Sequence, residues 1–157
     1  MADLDLAPLF AGYNDEQLLF ELHHSIRVPC NDSQRTFVSV WEAYELLHSD
    51  GFEMLIEQNT SLEEYAKGFA TIGMTRIPPI FDRVMALIPP NLRLPQNQEA
   101  LFEHLQTLFE DLKGLSHAFY DASSDFVLKV ADYVRSHRTD FSEYASDNRP
   151  TGDLRQD

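Results

Sequence analysis

The sequence predicts an all-α protein, a single-domain bundle of about seven or eight helices in two antiparallel layers. Apolar residues recur three and four positions apart in one segment after another, which is the spacing of a single helix face. These segments begin at residues that cap helices and end at glycine or proline. No internal repeat and no sustained alternation typical of β-strands competes with this pattern.

The composition is that of a folded chain. Its 157 residues can bury one core, and hydrophobic residues make up 43% of them, too many for a disordered acidic protein. We expect an N-terminal arm at residues 1–12, one helical domain at residues 13–141, and a polar, flexible tail at residues 142–157.

The first two helices have recognisable starts. Asn14 can cap the first, with Gln17 at the third position to reciprocate, and Asp32 or Ser33 opens the second. The buried stripe of the second helix consists of Phe37, Val40, Trp41, Tyr44 and Leu47. Its opposite face, which we expect to be exposed, carries Ser39, Glu42, Glu45 and Ser49.

A turn at Ser49-Asp50-Gly51 interrupts this helix. Gly51 is suited to a left-handed backbone, because a residue with a Cβ atom is penalised there. We therefore expect a tight junction between two helices, with Phe52 buried immediately after it against Trp41 or Tyr65.

Three further helix starts follow from local chemistry. Ser61 and Glu64 form a capping box, Glu63 is placed to pair with Lys67, and Gly73 is suited to end that helix. Pro78 and Pro79 fit the first turn of the next helix.

The C-terminal half begins with a proline-rich loop, residues 89–97. Asn97 is predicted to start a helix that ends at Gly114, with Phe102 and Phe109 on its broad apolar face. A short segment over residues 115–121 and a last helix after residues 123–124 complete the chain.

The charge balance limits the partners. Asp and Glu number 26 against 12 Lys and Arg, a formal net charge of -14. Such a chain repels nucleic-acid phosphates and anionic membranes and favours basic proteins, although solubility alone is an equally good explanation. Because Cys30 is the only cysteine and the N-terminus lacks the cations of a secretory signal, we expect a cytoplasmic protein.

The charge is most uneven between Arg35 and Lys67, where no lysine or arginine intervenes. We interpret the carboxylates of this stretch as a candidate partner-binding surface. The alternative is a set of ordinary solvated faces. The residues are Glu42, Glu45, Asp50, Glu53, Glu57, Glu63 and Glu64.

Catalytic and metal-binding patterns are weak. The sequence has no glycine-rich phosphate loop, and Cys30 has no base at a recognisable spacing. His48 with Asp50 is better suited to fastening two helices than to catalysis, and His23 with His24 lacks a third ligand. We therefore expect no enzyme activity, no cofactor and no metal.

The segment from Trp41 to the prolines at 89 and 90 resembles the DNA-mimic protein family of the DMP type. Its members carry a helix, a glycine turn followed by an aromatic residue, a helix that starts at tyrosine and ends in Ile-Gly, and a helix that ends in proline. The counterparts here are the turn at residues 49–52, the helix at residues 65–73 and the helix at residues 80–89. Gly51 and Phe52 keep the identities of the turn, whereas Asp50 stands in place of a glycine.

This resemblance implies an acidic all-helical protein whose carboxylates imitate the phosphates of duplex DNA and occupy a DNA-binding protein, in at least one case as a dimer. Two alternatives remain open: a generic acidic inhibitor or immunity-like protein that covers a basic enzyme, and an enzyme with an unrecognised carboxylate site. A homodimer is also expected, because some large apolar residues fall outside the predicted stripes. They are Phe20, Leu46, Met54 and Tyr120.

Overall fold

A computed structural model describes residues 14–58 and 61–141. Residues 14–58 and 61–141 form eight α-helices and no strand, which confirms the predicted all-α class. The arrangement in two antiparallel layers stays a prediction. They make up two compact units, one of residues 14–38 and 127–141 and the other of residues 39–126. The helices are α1 Asp15–Ser25, α2 Asp32–Ser49, α3 Gly51–Glu57, α4 Leu62–Thr71, α5 Pro78–Ala86, α6 Gln98–Thr107, α7 Phe109–Ala122 and α8 Phe126–Ser136.

The predicted arm and tail lie outside the described residues, and the organisation as one domain stays a prediction. None of the described helices has the length and apolar character needed to cross a membrane.

The first unit begins with the predicted cap. The Asn14 side chain accepts a hydrogen bond from the backbone N–H of Gln17 at 2.9 Å, and the Gln17 side chain accepts from the N–H of Asn14 at 3.3 Å. Both donors would otherwise lack a partner at the helix start, so this reciprocal pair stabilises α1.

Asn31 caps α2 in place of the predicted Asp32 or Ser33, because its side chain accepts from the N–H of Gln34 at 2.9 Å. The Ser33 and Gln34 side chains bond instead to Asp140. Ser33 Oγ donates to the Asp140 carboxylate at 2.5 Å, and Gln34 Nε2 donates to the Asp140 backbone oxygen at 2.8 Å. The start of α2 is thereby fastened to the segment after α8.

The second unit is built around the predicted glycine junction. Gly51 has φ +75°, α2 ends before it and α3 starts at it, and Phe52 is fully buried. The Phe52 N–H donates to Ser116 Oγ of α7 at 3.2 Å. Phe81 and Phe119 pack edge-on against Phe52, at ring-centroid distances of 5.3 and 6.3 Å. Contact of Phe52 with Trp41 or Tyr65 stays a prediction.

The C-terminal part of α2 is held by aromatic side chains. Tyr44 stacks on Phe126 with ring centroids 3.8 Å apart, and the Tyr120 hydroxyl donates to the backbone oxygens of Leu47 and His48. Tyr120, one of the residues assigned to a dimer interface, therefore has a role within the chain.

The predicted start and end of α4 and the predicted start of α5 are confirmed. Ser61 Oγ accepts from the N–H of Glu64 at 3.2 Å, although only this half of the predicted capping box forms. Gly73 takes φ +87° after α4, and the two prolines at positions 78 and 79 occupy the first turn of α5.

The largest differences from prediction lie between residues 89 and 122. The loop contains two short 3-10 helices, Pro90–Arg93 and Pro95–Asn97. The helix predicted to reach Gly114 breaks at Leu108, whose N–H donates to the oxygen of Leu105, and α7 then runs through Gly114. Leucines at both sides of the break keep the same apolar spacing, so periodicity alone could not locate it.

Candidate functional site

An open groove of about 470 Å³ lies along the second half of α2. Glu42, Glu45, Leu46 and Ser49 line it, at the spacing i, i+3, i+4 and i+7 that places residues on one helix face. The remaining lining residues are Gln58, which follows α3, and Tyr65 of α4.

Glu42 is the groove carboxylate whose pKa is raised by its surroundings. Partial burial raises the pKa of its carboxyl group above the ordinary value, and the negative charges of Glu45 and Glu64 raise it further. Glu45 lies one turn along α2, whereas Glu64 belongs to α4. α2 and α4 therefore bring Glu45 and Glu64 close enough to Glu42 for their charges to repel its carboxylate.

The Glu45 carboxylate is oriented by the aromatic core. Trp41 Nε1–H donates to Glu45 Oε1 at 2.9 Å, and the Trp41 ring lies 6.1 Å from that of Phe126. A carboxylate held in this way loses less conformational entropy when a partner binds than a free side chain would.

Glu63 forms an ion pair with a different cation from the one predicted. Instead of pairing with Lys67 in the same helix, it accepts two hydrogen bonds from the Arg93 guanidinium, at 2.6 and 2.9 Å. This forked pair lowers the pKa of Glu63 to about 2. A planar guanidinium matches both carboxylate oxygens at once, a geometry that an ammonium group cannot reproduce. Glu63 is therefore locally neutralised.

Of the seven predicted carboxylates, Glu42 and Glu45 line the groove, and Glu64 of α4 does not line it but lies close enough to Glu42 to raise its pKa. Asp50 is exposed at the N-cap of α3 without a side-chain cap bond, and Glu53 and Glu57 are half-buried in the first and last turns of α3. The structure thus brings Glu42, Glu45 and Glu64 together. Recognition of a partner by the full set of seven stays a prediction.

Sequence reasoning placed Ser49 on the helix face of Glu42 and Glu45 but missed the other uncharged members of the groove. Leu46 was assigned to a dimer interface, Tyr65 was expected to pack against Phe52, and Gln58 was not considered. The signal for Leu46 was present, because it shares the helix face of Glu42 and Glu45 at position i+4 from Glu42.

His48 belongs to α2 and packs among aromatic rings. Its ring lies 4.1 Å from Tyr44 and 4.7 Å, edge-on, from Tyr120. Burial lowers the pKa of His48 below its ordinary value. The imidazole therefore helps to join α2 to α7, a fastening role like the one predicted but with different partners.

Comparison with curated proteins and with solved structures returned no match. A protein-family model described as DMP19-like protein matches residues 29–137, well over half of the chain. The matched range includes all six residues that line the groove. It also covers the glycine junction on which the resemblance to DNA-mimic proteins of the DMP type was based. The chain therefore belongs to the DMP19-like protein family.

Proposed function

We propose that this chain is an acidic protein-binding module that imitates double-stranded DNA and occupies the basic surface of a DNA-binding protein. The observation that carries the proposal is the supply of carboxylates from two helices to one region, Glu42 and Glu45 from α2 and Glu64 from α4. Under this proposal the chain acts without catalysis and without a cofactor.

Two helices are needed because carboxylates on one helix are farther apart than the phosphates of a DNA strand. Carboxylates three or four residues apart on one helix are separated by about 4.5 to 6 Å along its axis. Phosphates on one DNA strand recur every ~3.4 Å of rise. A second helix adds negative charge between and beside those of the first, which brings the charge density closer to that of a duplex.

The groove also offers more than charge. Leu46, which is half-buried, provides apolar surface beside the carboxylates, and the largely buried Tyr65 adds a small part of the lining. The stem of an arginine or lysine is apolar and its head is charged, so such a side chain is suited to a site of this composition. DNA-binding surfaces are rich in both residues.

The experiment begins with the wild-type protein immobilised and exposed to a lysate of its native cells. Bound proteins are eluted in a salt gradient and identified. Affinity for the identified partner is then measured by calorimetry for the wild type and for the triple variant Glu42→Gln/Glu45→Gln/Glu64→Gln. We expect a loss of at least about tenfold, because clustered charges speed and strengthen association with a basic surface.

A matched control separates the groove from overall charge. The variant Glu16→Gln/Glu21→Gln/Asp132→Asn also removes three exposed carboxylates, none of which lines the groove. Its affinity should stay close to that of the wild type. Equal losses in both triple variants would mean that binding follows net charge, and the proposal would fail.

The generic acidic inhibitor remains the competing function, since its partner could use the same carboxylates. The two differ in whether duplex DNA competes for the partner.

A further inference from the structure

The uncharged lining of the groove gives this site a chemical preference beyond charge. Ser49 of α2 lines it, and Gln58 enters from the end of α3, where its backbone N–H donates to the oxygen of Met54 at 3.1 Å. Both side chains are exposed, and each carries an oxygen that can accept a hydrogen bond. The groove therefore gathers hydrogen-bond acceptors beside a half-buried leucine, Leu46.

The carboxylates at the groove are not neutralised within the described part of the chain. None of Glu42, Glu45 and Glu64 forms a salt bridge there. Partial burial and the negative charges of Glu45 and Glu64 raise the pKa of Glu42, so the charged form of this side chain is disfavoured. A cation placed in the groove would offset the repulsion and stabilise that charged form.

The Glu45 carboxylate is already fixed through one of its two oxygens. Trp41 Nε1–H donates to Glu45 Oε1 at 2.9 Å. Because Glu45 is exposed and lines the groove, a donor from a partner can reach Oε2 while the bond to the indole stays in place. The groove therefore presents acceptors at fixed positions and in several directions.

The pair of Glu63 and Arg93 shows how arginine binds a carboxylate in the same part of the molecule. The guanidinium donates to both oxygens of Glu63, at 2.6 and 2.9 Å, and lowers the pKa of Glu63 to about 2. A guanidinium carries several N–H donors in one plane, whereas the ammonium group of lysine is a compact charge that holds water more strongly. An arginine can therefore satisfy more of the groove acceptors and loses less hydration there.

From these features we propose that the groove binds one arginine side chain of the partner protein and discriminates against lysine. Glu42 and Glu45 accept hydrogen bonds from the guanidinium, and the side-chain oxygen of Gln58 accepts a further one. The apolar stem of the arginine packs on Leu46. This inference rests on the proposed function, because it takes the groove as the place where a basic surface is bound.

Two peptides that differ at one position test this preference. One is Ac-Lys-Ala-Arg-Ala-Lys-NH2, and the other has lysine at the centre, so both carry the same charge. Each is titrated into the full-length, isotopically labelled protein, and chemical shifts are followed by NMR. Because Trp41 is the only tryptophan, its indole N–H gives a single resonance beside Glu45. The arginine peptide should move this resonance and bind at least about fivefold more tightly than the lysine peptide.

The variant Gln58→Ala tests the groove lining without a change in charge. It removes an acceptor at an exposed position, so the fold should be unaffected. The affinity for the arginine peptide should fall to within about twofold of that for the lysine peptide, because the acceptor that favours the guanidinium is lost. The matched control is Gln106→Ala, which removes an exposed glutamine that does not line the groove and should keep the wild-type preference.

Equal affinities of the wild type for the two peptides would overturn the proposal, and so would an indole resonance that does not move. A Gln58→Ala protein that keeps the full preference would place the selectivity outside the groove and would overturn it as well. Each of these results leaves DNA mimicry standing, because mimicry requires a basic partner but no arginine in the groove. An intact arginine preference, together with a partner that binds duplex DNA and this protein at once, would reject mimicry alone.

Discussion

Gly51 is a single residue on which the junction between α2 and α3 depends. Its φ of +75° is unfavourable for any residue with a Cβ, and a Cβ built there would lie 3.0 Å from Ser116 Oγ, the atom that accepts the Phe52 N–H. We expect Gly51→Val to lower the free energy of unfolding by about 1–3 kcal/mol from backbone strain, with a further loss from the displaced serine. The free energy of unfolding measured in urea reports the sum of the two losses.

Gly73 and Gly114 are the controls for that substitution. Gly73 has φ +87° with open space around it, so Gly73→Ala should cost backbone strain alone. Gly114 lies within α7 and also has open space, so Gly114→Ala should stabilise the protein by about 0.5–1 kcal/mol. A Gly51→Val protein as stable as the wild type would contradict the account of the junction.

Glu42 gives a prediction about pH. Its pKa is raised in the folded protein by burial and by its carboxylate neighbours, so the folded state binds a proton more tightly than the unfolded state does. As pH rises above the ordinary glutamate value and through the folded pKa, the wild type therefore loses stability at this site. Glu42→Gln should be more stable than the wild type at neutral pH, and this advantage should shrink in acid.

Thermal unfolding of both proteins across the acidic range measures the effect. Glu16→Gln, an exposed carboxylate in the first turn of α1, is a control that removes one charge outside the groove. An advantage of Glu42→Gln that grows as pH falls would be inconsistent with repulsion in the groove.

At the scale of elements, the forked pair of Glu63 and Arg93 ties the start of α4 to the first 3-10 helix. The Glu63 side chain is 60% exposed, so solvent screens the pair. A double-mutant cycle with Glu63→Gln and Arg93→Ala should give a coupling energy of about 0.2–1 kcal/mol. Because the pKa of Glu63 is lowered to about 2, this contribution should be present above pH 4.5 and fade as pH falls toward 2.

Arg93→Lys tests the forked geometry in the same experiment. An ammonium group keeps the charge but cannot bind both oxygens in one plane, so the coupling should fall by more than half. A coupling energy of zero at neutral pH would show that the pair adds nothing to the junction.

Helix starts and turns were predictable where local chemistry decides them. Asn14, Gly51 and Gly73 each serve a backbone need that the neighbouring residues reveal. The break at Leu108 was not predictable, because the leucine spacing continues across it. The exposed Phe102 and Phe109 were mistaken for core residues for the same reason, since periodicity shows a face but not what covers it.

The candidate site was predictable only in part. The charge imbalance pointed to α2 and the residues after it, and Glu42, Glu45 and Glu64 do meet near the groove. The contact of Glu63 with Arg93 spans 30 residues, a separation that sequence spacing cannot resolve. Tyr65 and Gln58 enter the groove through the packing of separate helices, which one sequence does not encode in any local pattern.

At the scale of the whole molecule, we propose a homodimer. The apolar residues on which this prediction rested differ in their surroundings: Phe20 is 55% exposed, Met54 is half-buried, Leu46 lines the groove, and Tyr120 donates hydrogen bonds within the chain. Sedimentation at micromolar concentration should show a species twice the 18.1 kDa of the chain. Phe20→Ser should weaken that dimer, and an 18.1 kDa species alone would exclude it.

The net charge of -14 predicts that binding to a basic partner depends strongly on salt concentration. Salt at 0.15 M screens exposed charges beyond about 8 Å, so affinity for a basic partner should fall steeply as ionic strength rises. The wild type should show a steeper slope than the variant Glu42→Gln/Glu45→Gln/Glu64→Gln. Equal slopes would place the electrostatic contact outside the groove.

The measurement that tests DNA mimicry most directly is competition between this protein and duplex DNA for the identified partner. A labelled cognate duplex is bound to the partner, and unlabelled protein is added at constant ionic strength while fluorescence anisotropy is followed. We predict complete displacement of the duplex, with no complex that contains all three molecules, and a weaker effect from the triple groove variant. A stable ternary complex, in which the partner holds DNA and this protein together, would contradict mimicry and leave the generic acidic inhibitor as the function.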